Sequence, residues 1–173
     1  MSVDNDKSTS GEEPPPFKEL ASALKRVNGV PLEPQGLRFE MAVNGGLPVQ
    51  RYEFRFTATD EGALEIALRS ELSQQVYPPA SFQLGAQETA ALFRFVDLRS
   101  ILEFDARRVL FPPDSLVGRL TLSKGTVIAG CYFMPDSGQA KASGFTLPPR
   151  LQALVETVYD LASRLLGAGD VRP

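Results

Sequence analysis

Three short runs between Arg38 and Arg69 alternate apolar and polar residues with a period of two. In the first, Phe39, Met41 and Val43 alternate with Arg38, Glu40 and Ala42. In the second, Tyr52, Phe54 and Phe56 alternate with Arg51, Glu53 and Arg55. In the third, Leu64, Ile66 and Leu68 alternate with Glu65, Ala67 and Arg69. Successive side chains of a strand point to opposite faces, so this pattern specifies a sheet with one buried and one wet face. Asn44-Gly45-Gly46 and Asp60-Glu61-Gly62 supply turn residues between the runs. Connections this short join antiparallel neighbours.

The rest of the chain fits around that core. Residues 1–16 are polar, acidic and end in Pro14, Pro15 and Pro16. They cannot bury enough apolar area to offset their ordering entropy, which predicts a disordered tail. Phe17, Leu20, Leu24 and Val27 then recur at helical spacing, with Lys25 and Arg26 in the last turn. A helix over 17–27 is predicted, joined by a Pro-rich loop; together, 17–34 form a separable unit. Pro78-Pro79 reads as an interruption, with Ser81 to Leu84 as a short edge strand. A helix is predicted over 86–104, with a break near Asp97. Leu116, Gly118, Leu120 and Leu122 alternate as one strand, Ser123-Lys124-Gly125 turns, and Thr126 to Phe133 returns. Pro148 and Pro149 open a closing helix that holds its apolar pattern for four turns to Gly167. Residues 167–173 read as a loose tail. The predicted fold is α+β: one domain over 17–166, in the order α-β-β-β-α-β-β-α. It has an antiparallel sheet of about five strands with helices on one face.

Composition narrows the chemistry. The 173 residues contain no histidine. That removes the Ser-His-Asp and Cys-His nucleophile arrangements, the usual His-containing zinc sites and the commonest general base near pH 7. The 18 Lys and Arg stand against 21 Asp and Glu, a net charge of −3. Phosphate contacts supply most non-specific nucleic-acid affinity, so an acidic balance argues against a nucleic-acid partner. A single cysteine, Cys131, cannot form an internal disulfide. No stretch approaches the roughly 18 apolar residues of a membrane span, and residues 1–16 lack the apolar centre of a signal peptide. The expectation is a cytoplasmic protein with neither membrane nor nucleic-acid partner.

Each reactive residue type has a plain structural reading beside the chemical one. Cys131 lies mid-strand with no cation nearby in sequence, and reads as a small hydrophobe. Asp4, Asp6, Glu12 and Glu13 read as solvated charge. Glu103 and Asp105 could act as a carboxylate pair, but they read instead as an ion-paired surface with Arg107 and Arg108. The glycines follow no phosphate-cradling pattern. Ser123 and Lys124 are neighbours on a turn and point apart. No catalytic, metal or cofactor site is expected.

Two features instead suit a partner. Arg51, Glu53 and Arg55 line the wet face of the second strand, where they read either as a binding surface or as a solubilising one. The helix bearing Phe17, Leu20 and Leu24 can dock in a partner's groove or on its own domain. The element order and acidity resemble those of the small dimeric type III secretion chaperones. Asn44-Gly45-Gly46, Pro113-Asp114 and the segment Leu147 to Val155 resemble the turn and proline-led closing helix of emfourin-type metalloprotease inhibitors. Either resemblance implies a protein that binds another protein. The expectation is therefore a non-enzymatic interaction module that engages another protein or itself. A small-molecule-binding domain or carboxylate enzyme, with a pocket between sheet and helices lined by Phe54, Phe56, Phe93, Phe95 and Phe133, is the alternative.

Overall fold

The computed structural model describes residues 36–96, 111, 114–124, 127–135, 140 and 147–173. The predicted tail and first helix, with Phe17, Leu20 and Leu24, lie outside the described residues, as do Glu103 and Asp105. The alternating runs become β1 (Leu37–Gly45), β2 (Tyr52–Thr59) and β3 (Ala63–Ser70). A fourth strand, β4 (Gln75–Gln83), completes a meander. The helix α1 (Ala86–Phe93) follows, then the hairpin β5 (Leu116–Lys124) and β6 (Val127–Phe133), and finally α2 (Pro149–Leu166). The six strands form one sheet in the order β4-β3-β2-β1-β5-β6, every neighbouring pair antiparallel.

The sheet has six strands because Pro78-Pro79 does not interrupt it. Ile66 pairs with Ala80 and Leu68 with Tyr77, so Ala67 faces both prolines across a bulge. A bulge releases one residue from the ladder, and an edge strand has one side that needs no donor. Both conditions suit prolines, which have no N–H to give.

The helix from Ala86 ends at Phe93, shortly before the break expected near Asp97, and the rest of the predicted span, 97–104, lies outside the described residues. Phe95 N–H donates to Leu92 O and Val96 N–H to Phe93 O, tightening the last turn. A continuing α-helix would point Phe93 and Phe95 about 200° apart. Ending it lets both rings, and Val96, pack partly buried against the core.

The core lies between the sheet and the two helices. Phe39, Met41, Phe54, Phe56, Ile66 and Leu120 from the strands meet Leu151, Leu154, Val158 and Ala162 from α2, all essentially without exposure. Apart from Ala162, each of these side chains contributes roughly 1.5–3 kcal/mol by leaving water. Gly118 is required by this packing: a Cβ there would sit 2.3 Å from the ring of Phe133.

The C-terminal residues are held, not loose. Gly167 adopts φ 60° and closes α2, with its N–H donating to Arg164 O and that of Ala168 to Ser163 O. The chain then turns back over the helix. Val171 is buried, and its N–H donates to Ser163 Oγ. Arg172 pairs with Glu156, Asp160 and Asp170.

Candidate functional site on the uncovered sheet face

The outward positions of the strands form rows, because antiparallel register sets residues directly opposite one another. One row crosses the sheet as Tyr132, Arg119, Ala42, Arg55 and Ala67, ending at the Pro78-Pro79 bulge. A second row is Val117, Asn44, Glu53, Arg69 and Val76. A third is Thr121, Glu40, Thr57, Glu65 and Ser81. The face is thus a cationic row between a mixed row and a carboxylate row.

Most charges of the face are engaged. Arg51 pairs with Glu53 and Arg69 with Glu71, while Arg38 reaches Glu40 at 3.9 Å. Glu71, with both hydrogen bonding and charge, pushes Arg69 further above its ordinary value. Arg119 stands 5.9 Å from the ring centroid of Tyr132, a cation–π contact. Arg55 differs. Among the described residues it makes no ion pair and no hydrogen bond through its side chain. Its neighbours to either side in the row are Ala42 and Ala67, too small to cover it.

Those alanines leave a depression of about 310 Å³. Its floor is Ala42 and Ala67, its sides carry Glu53, Arg55, Glu65 and Arg69, and its far wall is Val76, Tyr77, Pro78 and Pro79. An unpaired guanidinium over a small-residue floor can take a carboxylate in two parallel hydrogen bonds. Apolar side chains crowd one end of the sheet. Gly45, Tyr52, Ser70 and Gln75 are in register, so the β1–β2 and β3–β4 connections share that end. There Val49, Leu72 and Val76 are 76%, 70% and 69% exposed, with Leu47 beside them in sequence. Large apolar side chains this open in one region are a feature of contact surfaces.

Of the six residues singled out in sequence, Arg51, Glu53 and Arg55 come together on this face, the first two bridged to each other. Sequence reading missed Arg119, Tyr132 and Val76, which reach the site only through strand register. The legible signal was the pair of outward alanines, Ala42 and Ala67, breaking runs of charge.

The other candidates are structural. Burial pushes the Cys131 thiol up to about 12, away from thiolate chemistry. Ser123 Oγ donates to Arg38 O. Phe54, Phe56 and Phe133 fill the layer between sheet and helices. The cluster around Arg172 is saturated. Hydrogen bonding to Asp160 first, then to its other carboxylates, pushes the guanidinium further up, while the Arg172 N–H and guanidinium hold Asp170 low. No group of three or more His, Cys, Asp or Glu capable of holding a metal occurs among the described residues. No helix there is long and apolar enough to cross a membrane.

Fold and site together define an α+β protein with a helix-covered sheet face opposite an open, charge-patterned one. No protein-family model matches the chain, and no curated protein matches it either.

Proposed function

We propose that this is a non-enzymatic interaction module that binds another protein through its uncovered sheet face. The observation that carries this reading is Arg55, unpaired between two alanines and bordered by exposed Val76. An unpaired charge beside exposed apolar area is the composition of a contact surface: the apolar part supplies affinity and the charge supplies register. The partner contacts are Arg51, Glu53, Arg55, Arg69 and Val76. A cytoplasmic setting goes with this reading, since the chain's single cysteine is buried and unpaired.

Affinity purification from the cells that make the protein tests it, with wild type beside a double variant, Arg55→Glu with Val76→Ser. Both positions are exposed, so the variant keeps the fold. The expected result is one stoichiometric protein on wild type that survives salt washing and is missing from the variant. A partner held equally by both, or none captured even after crosslinking, overturns the reading.

A further inference from the structure

The uncovered face leaves two charges of opposite sign without a partner. Arg55 is one. Glu65 on β3 is the other: among the described residues its carboxylate makes no ion pair and no hydrogen bond. Both are exposed, and both line the depression over Ala42 and Ala67. Arg55 stands opposite Ala67 and Thr57 opposite Glu65, so the two charged residues are diagonal neighbours on adjacent strands. Such neighbours lie about 7–8 Å apart.

A surface that satisfies both must present a carboxylate and a cation at that same spacing. This face presents that pair itself. A two-fold axis through an interface sets residue i of one copy against j of the other, and j against i. With the axis midway between Arg55 and Glu65, the guanidinium of each copy meets the carboxylate of the other.

The rest of the face permits the approach. Arg38, Arg51 and Arg69 are already paired with Glu40, Glu53 and Glu71, so two faces meet with little net repulsion. Between the charges lie Ala42, Ala67 and Thr57, short enough for a second sheet to pack about 10 Å away. The six strands span roughly 24 Å by 26 Å, so two closed faces bury about 1,200 Å². A specific interface needs roughly 1,000 Å².

We propose that two copies of this chain close on each other through their uncovered faces, Arg55 of each paired with Glu65 of the other. The inference rests on reading that face as a contact surface, and names a second copy as its occupant.

Light scattering on the full chain after size-exclusion chromatography tests this. Wild type should have twice the mass of one chain. Arg55→Glu sets carboxylates against each other at both contacts, and Glu65→Arg does the same with guanidiniums. Each should weaken association by about a hundredfold or more and give monomers. Mixing the two variants should restore a dimer with one chain of each, read by native mass spectrometry. Both substitutions on one chain should also restore the dimer, which a variant that had merely lost its fold would not do. Three results overturn the proposal: a monomeric wild type, a dimer that survives both single substitutions, and a mixture that stays monomeric. If a monomeric wild type still captures a different protein that Arg55→Glu with Val76→Ser loses, the contact-surface reading stands and the second copy alone is excluded. A monomer that captures nothing removes both.

Discussion

The Tyr52 hydroxyl donates a hydrogen bond to the main-chain carbonyl of Val171, 119 residues further along the chain. It joins the first residue of β2 to the returning C-terminal segment. Both partners are buried, so the bond forms away from competing water. Tyr159, packed on Phe54 with ring centroids 5.3 Å apart, lies under the same segment, and Arg172 crosses its ring at 5.8 Å.

Tyr52→Phe therefore leaves a buried carbonyl unpaired and should destabilise the fold by about 1 kcal/mol. Removing residues 171–173 also exposes the surface Val171 covers, and should cost about 1.5–3 kcal/mol. In the truncated chain Tyr52→Phe should add little, because its partner is already missing. Urea unfolding of the four proteins measures this cycle.

Gly118→Ala should destabilise by about 1–3 kcal/mol, because the added methyl meets the ring of buried Phe133. Phe133→Leu creates space and is destabilising alone, yet the double variant should be more stable than the sum of the single losses. Thermal unfolding of the three variants gives the coupling directly.

Stability should fall as pH rises above 9. An ordinary thiol ionises near 9.0, whereas burial keeps Cys131 protonated up to about 12. Over that window the unfolded chain releases a proton that the folded chain keeps, so the unfolded state is favoured. Burial likewise raises Tyr52 and Tyr159 above their ordinary 10.0, adding to the same trend. Cys131→Ala should remove the part of the slope between 9 and 10. Native protein at pH 8 should leave a thiol reagent unreacted until denaturant is added.

Pro78→Thr with Pro79→Thr should promote self-association. Each substitution adds an N–H donor to β4, which forms one edge of the sheet. An edge with restored donors can pair with another chain. Size-exclusion chromatography over a concentration series should show wild type unchanged and the double variant shifting to larger species.

The sequence by itself determined the parts whose physics is local. Strict alternation placed Phe39, Met41, Tyr52, Phe54, Leu64 and Ile66 on the buried side of their strands, because a strand has only two faces. The stripe from Leu151 to Ala162 defined α2 because helical spacing gathers those residues on one side. Tertiary structure decided whatever depends on distant pairing. Pro78-Pro79 belongs to a strand only because β4 is an edge and Ala67 accepts a bulge. The C-terminal segment is fixed because Tyr52, Ser163 and the helix carboxylates Glu156 and Asp160 meet it. Arg55 became the centre of the candidate site because register set it between Ala42 and Ala67 and extended its row to Arg119 and Tyr132. A period of two states which way a side chain points; which strand lies beside it is set by long-range contacts that no local pattern encodes.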